Sequence, residues 1–160
     1  MASFTARLRG RNEVPPVRTN ATGFAVFQEI RRRRHLENEN NMDNGRNMEN
    51  GNNRNHGRRR NAQLRFRLSL RNIRRVTGAN IHLGRPGQNG PIVATLFGPS
   101  AQGVSFRRGV ITGTLRRGDL VGPLAGRSID ALIREIERGN AYVNVQTREH
   151  PNGEIRGQIR

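Results

Sequence analysis

Between Gln63 and Asn72 the chain alternates without a break, with Leu64, Phe66, Leu68 and Leu70 on one side and Gln63, Arg65, Arg67, Ser69 and Arg71 on the other. Successive side chains of a strand point to opposite faces, so this stretch reads as a strand with one face in a core and a row of arginines in water. Ser3 to Gly10 repeats the pattern, setting Phe4, Ala6 and Leu8 against Thr5, Arg7 and Arg9. Gly23 to Ile30 carries Phe24, Val26 and Gln28 on one face and Ala25, Phe27 and Glu29 on the other. A chain so dominated by period two is committed to β-structure.

Two strand-like runs then meet across Val76 to Phe97. Ala79, Ile81 and Leu83 alternate with Asn80 and His82, which therefore share a face. Ile92 to Phe97 is a short apolar run between Gly90-Pro91 and Gly98-Pro99, and the intervening Gly84 to Gly90 is turn chemistry. Downstream, Val104 to Leu115 reads as a charged turn at Arg107-Arg108 followed by a strand through Val110 and Thr112. Ser128 to Gly139 changes period: Ile129, Leu132, Ile133 and Ile136 recur at helical spacing behind a serine N-cap. This helix is expected to cover an open end of the β-structure. Tyr142, Val143 and Val145 belong with Gln158 and Ile159 to the last two strands, joined by His150-Pro151-Asn152-Gly153.

The hydrophobic fraction of 32% is low for a folded chain, but Arg31 to Arg60 contributes only Leu36, Met42 and Met48 to it. That segment holds nine arginines, nine asparagines and four carboxylates, with no periodic apolar face to offset the entropy of ordering it. Residues 1–160 therefore read as one domain with 31–60 as a low-complexity insertion loop between the second and third strands. Closure entropy grows only logarithmically with length, so a hairpin tolerates such a loop.

Every one of the 29 basic residues is arginine, and the formal charge is +17. Association with polyanions or an acidic surface follows on electrostatic grounds. Arg31, Arg32, Arg33, Arg34, Arg58, Arg59 and Arg60 in the insert, with Arg65, Arg67 and Arg71 on the strand, are the candidate contacts. The competing readings are a solvating insertion and a row that keeps an exposed sheet soluble and blocks edge pairing. Aromatic residues are only 4% of the chain, which argues against base stacking and sequence-specific recognition. There is no cysteine, no serine in a glycine elbow and no phosphate-binding loop, so the expectation is a protein that is not an enzyme.

Asn12-Glu13-Val14-Pro15-Pro16-Val17, the central Val76 to Phe97 stretch, Asp119 to Leu124, and the tail GNAYVNVQTREHPNGEIRGQIR occur in an order that resembles the CHRD family, the domain repeated in chordin and found singly in many bacterial proteins. The resemblance implies an all-β fold, an immunoglobulin-like or superoxide-dismutase-like antiparallel β-barrel or sandwich, here of about eight strands with one short helix. It implies little about activity. It also implies a histidine site: family members typically carry His-Ile-His where this chain has Asn80-Ile81-His82, and often a histidine where it has Gln146. His82 and His150 match and Asn80 and Gln146 do not, so the favoured reading is a satisfied structural histidine, against a two-histidine remnant that holds copper or zinc weakly with Glu149 or Glu154. The alternative is a neutral hydrogen-bonded cluster of Asn80, His82, Gln146 and His150, and no cofactor is then expected. Glu154 and Arg156 share a face of the last strand, where an ion pair with Arg18 or another arginine is expected.

These expectations converge on a structural or adhesive component of a surface or extracellular assembly that binds other copies of itself or surface proteins. Polyanion binding (nucleic acid or acidic polysaccharide) and weak copper or zinc binding are the alternatives. No run is long enough to span a membrane, and Met1-Ala2-Ser3-Phe4 enters the first strand with no apolar leader. The expectation is either a mature form or a protein assembled onto a cell or spore surface from inside a cell.

Overall fold

The computed structural model describes residues 1–31 and 61–160. The expected Arg32 to Arg60 part of the insertion lies outside them. Seven strands make one antiparallel sheet: β1 (Ser3–Arg9), β2 (Thr22–Arg31), β3 (Ala62–Leu83), β4 (Ile92–Phe97), β5 (Val104–Leu115), β6 (Ala141–Thr147) and β7 (Ile155–Gln158). β2 pairs with β1, β1 with β7, β7 with β6 and β6 with β3, and β3 returns to β2, which closes a barrel. β4 and β5 add to β3 outside this circuit.

One strand fewer than the sequence suggested is present, and the reason lies in β3. The two runs Gln63–Asn72 and Ala79–Leu83 are a single strand of 22 residues. Asn72 and Arg75, both at φ 53°, bend it without ending it. Its first half lies between β2 and β5 and its second half between β6 and β4, with the pairing slipping between Ile73 and Val76. Asparagine tolerates the left-handed region better than most residues, which suits it to such a bend. The tight approach at the bend also requires Gly103, where a Cβ would meet the Arg75 backbone at 2.6 Å. A second correction concerns Arg107-Arg108, which lies within β5 rather than in a turn.

The barrel interior is filled by the alternate residues the pattern selects: Leu8, Ala25, Phe27, Leu64, Leu68, Leu70, Ile81, Val143, Val145 and Ile155 are all fully buried. Each such large apolar side chain contributes roughly 1.5–3 kcal/mol on leaving water. The helix α1 (Ile129–Glu137) inserts Ile129, Leu132, Ile133 and Ile136 into the same core. It begins after Ser128 and ends at Arg138 and Gly139, the latter at φ 72°, the left-handed stop that glycine adopts without steric cost. The Ser128 side chain makes no capping bond; the first turn is instead tied to the barrel by Asp130, which accepts from Arg31 at the end of β2.

Candidate functional site

Alternation predicts that the outward residues of β6 and β7 face water, but Tyr142, Asn144 and Arg156 are buried. Two loops cover them: the proline-stiffened crossing after β1 and the glycine-rich crossing after β3. Arg156 is the clamp. It is 2% exposed, and its guanidinium carbon stands 3.5 Å from the centre of the Tyr142 ring. Its Nη1 donates to Asn89 Oδ1 at 3.1 Å, and its Nη2 donates to the carbonyls of Arg85 at 3.0 Å and Gln88 at 2.7 Å. Asn89 Nδ2 donates onward to the Val14 carbonyl, and the Gly90 N–H donates to the Tyr142 hydroxyl. Planar, multidentate donation is what arginine provides and lysine does not.

His82 flanks Tyr142 from the β3 side, its ring stacked at 4.9 Å and 11°. A carbonyl only accepts, so the 2.8 Å contact with the Gly90 oxygen places the proton on Nδ1. Nε2 is buried without a partner among the described residues. Burial holds the imidazole below its ordinary pKa, and nearby Arg156 pushes the same way. Glu13, 6% exposed in the loop above, is pushed up to about 7 by burial, an effect that the Arg156 charge only partly offsets. Its Oε2 and Asn144 Oδ1 have no hydrogen-bond partner among the described residues. Both crowd the Gly153 Cα, where a Cβ would come within 2.6 Å of the first and 2.3 Å of the second.

The four residues expected to make a metal remnant or a polar cluster are not assembled together. Asn80 Nδ2 donates to Gln146 Oε1 at 3.0 Å, and these two form a pair. His82 stands opposite Tyr142 at one end of β6, while His150 lies just beyond Thr147 at the other. Tyr142 and Thr147 are five residue steps apart along the strand, roughly 17 Å. His150 sits instead with Glu149 and Glu154 at the turn between β6 and β7. The arginine expected opposite Glu154 is replaced by threonine hydroxyls: Thr147 donates to it at 2.9 Å and Thr19 at 2.8 Å.

The arginine row extends further than the sequence suggested. Register places Ser3, Gln28, Arg65 and Thr114 in one line across β1, β2, β3 and β5; the next lines are Thr5, Val26, Arg67, Thr112, then Arg7, Phe24, Ser69, Val110, then Arg9, Thr22, Arg71, Arg108. This outer face carries six arginines and no carboxylate. None of the six is in an ion pair among the described residues, and Arg71 is directly opposite Arg108. Arg7, Arg9 and Arg108 escaped sequence reasoning because nothing local says which strands are neighbours. Arg31, expected to join this set, is instead engaged by Glu29 and Asp130. Arg32, Arg33, Arg34, Arg58, Arg59 and Arg60 lie outside the described residues.

Fold and site together define an antiparallel β-barrel domain whose two signature loops are clamped onto one wall by a buried arginine. The model of the CHRD domain matches residues 4–159, and the chain belongs to that family. Three of the motifs that carried the resemblance, Asn12 to Val17, the Val76 to Phe97 stretch and the tail, meet at Arg156, while Asp119 to Leu124 packs along β4. No curated protein and no solved structure matches the chain. No helix among the described residues is long and apolar enough to cross a membrane.

Proposed function

We propose that this CHRD domain is not an enzyme but a structural or adhesive component of a surface or extracellular assembly, and that it attaches through the open arginine face of β1, β2, β3 and β5 to an acidic polysaccharide. The observation that carries the reading is the placement of Arg71 directly opposite Arg108 with no carboxylate on the face. Opposed like charges cost stability, roughly 0.2–1 kcal/mol for a cross-strand pair, and an anionic partner converts that cost into binding. Solubility alone is served by mixed charges.

The partner's chemistry follows from the rest of the face. Phe24 is its one aromatic residue, so successive nucleobases have no stacking platform. Thr5, Thr22, Thr112, Thr114, Ser3 and Ser69 offer hydroxyls that both donate and accept, which suits sugar hydroxyls between charged groups. Along β3, Arg65 and Arg67 are two residues apart, about 6.8 Å, a spacing at which an extended charged polymer meets several arginines in turn.

The test is retention on immobilised heparin across a salt series, comparing the full chain, an Arg67→Gln/Arg71→Gln/Arg108→Gln variant, and a chain lacking residues 32–60. The face reading expects the triple variant to elute at much lower salt while the deletion keeps most of its retention. The reverse result would transfer binding to the insert. Equal or tighter retention on single-stranded DNA would overturn the polysaccharide assignment.

Self-association is a second reading, favoured by β5, which among the described residues pairs with β3 alone and exposes Val104 and Val110. A strand with one open ladder edge accepts another strand. Sedimentation over a concentration series would test it, and a strictly monomeric chain at the highest concentration would count against it.

A further inference from the structure

We propose that Glu149, His150 and Glu154 form a site for one divalent ion of zinc-like ligand preference at the turn between β6 and β7, made of residues distinct from those of the arginine clamp and of the arginine face. Their candidate ligand atoms all lie within 4.8 Å of one another. The turn holds them by its own bonds: the Thr147 and Gly153 N–H groups both donate to the His150 carbonyl, at 3.1 and 3.0 Å, and the Glu154 N–H donates to the Val145 carbonyl at 2.8 Å. The His150 N–H donates to Thr147 Oγ1.

Glu154 is the anchored member. It is buried, and each carboxylate oxygen accepts one threonine hydroxyl, Oε1 from Thr147 and Oε2 from Thr19. A carboxylate oxygen keeps a second lone pair, so these bonds orient the group while leaving it free to ligate, as outer partners of metal ligands do. Glu149 is exposed and His150 half-buried, so those two are able to close on it.

Charge supplies the second argument. The chain carries 29 basic residues, and Arg74 and Arg107 line the same cleft as Glu149 and Glu154. Even so, the ion pairs among the described residues fall on Glu29, Asp130 and Glu135. Two carboxylates, one of them desolvated, converge with an imidazole, and no arginine among the described residues forms an ion pair with either carboxylate. A dication fits this set, and the imidazole selects a borderline ion over the hard, oxygen-seeking Mg2+ and Ca2+. Ligands about 2.1 Å from a tetrahedral zinc stand about 3.4 Å apart, so binding draws Glu149 and His150 inward by about 1 Å and leaves a fourth position for water. The ion then ties the β6–β7 turn to the crossing before β2, through Glu154 and Thr19.

The experiment is titration of the full chain with Zn2+, and separately with Mg2+, following the His150 ring signals by NMR and the heat of binding. One equivalent of Zn2+ is expected to move the His150 signals. His150→Ala should lose that binding event, and Glu149→Gln, at an exposed position, should weaken it by about tenfold or more. Unmoved His150 signals at equimolar Zn2+, an unchanged affinity in either variant, or an equal response to Mg2+ would each overturn the proposal. His35, His56 and His82 are kept in every variant, so zinc held only by them appears as no difference and counts against it.

Discussion

Arg156 packs its guanidinium 3.5 Å above the Tyr142 ring while its donors reach Asn89, Arg85 and Gln88 in the loop that follows β3. One side chain from the last strand thus fixes the crossing between β3 and β4. Replacing it with leucine removes three charge-assisted bonds and takes from buried Glu13 the positive charge that partly offsets its burial. The expected loss is about 3–5 kcal/mol, since breaking one partner of a buried charged set leaves the others uncompensated. Arg156→Lys should recover little of it, because an ammonium cannot span three acceptors in one plane. Urea unfolding of both variants measures this, and near-wild-type stability in the lysine variant would refute the clamp.

Glu13 makes stability depend on pH. Its pKa is raised from 4.5 when unfolded to about 7 when folded, so the folded state holds the proton more tightly. The contribution is therefore fully present below about pH 4.5 and is lost as the pH rises through about 7. The 2.5-unit interval corresponds to a loss on the order of 3 kcal/mol by pH 8. His82, lowered by burial, acts in the opposite sense as the pH falls below 6.5, so the whole-protein profile mixes the two. Glu13→Gln isolates the first: it should be more stable than the wild type at pH 8 and similar at pH 4.5. An unchanged slope between those pH values in the variant would show that Glu13 does not titrate in this range.

Gly153 is required by what stands over it. Its φ is 131°, and a Cβ there would lie 2.3 Å from Asn144 Oδ1 and 2.6 Å from Glu13 Oε2. Gly153→Ala therefore combines a disfavoured backbone with displacement of two buried polar groups, and a loss of several kcal/mol is expected. Calorimetry should show a much lower melting temperature than for Gly118→Ala, where an added methyl meets nothing within 4 Å. Similar melting temperatures would contradict the packing described.

The barrel was legible from the sequence because alternation is a local property: Leu64, Phe66, Leu68 and Leu70 are buried as their spacing demands. The helix was legible for the same reason at another period. Strand number was misread at Asn72 to Arg75, where two positive φ angles bend β3 without interrupting it, a conformation that residue type alone does not announce. The polar wall was invisible for a different reason. Tyr142, Asn144 and Arg156 alternate like exposed residues, and only the two loops, distant in sequence, turn that outer face into a second interior. Pairing Glu154 with an arginine by periodicity failed similarly, because Thr19 approaches from the far crossing.

The arginine face yields a prediction in which stability and binding move in opposite directions. Arg71 and Arg108 are directly paired across β3 and β5, both exposed, with no carboxylate on their face. Arg108→Thr relieves a like-charge contact and supplies a β-branched residue suited to a strand, so it should raise stability by about 0.2–1 kcal/mol. If the face binds an acidic polymer, the same change removes one contact and should lower the salt concentration at which heparin releases the chain. Arg71→Thr should do likewise, and the double variant should gain less stability than the two singles combined, because the repulsion can be relieved only once. A row kept merely for solubility would show the stability gain without the loss of binding. Thermal unfolding and heparin elution on the same four proteins separate the cases, and a binding loss without a stability gain would mean that the two charges do not oppose one another in the folded state.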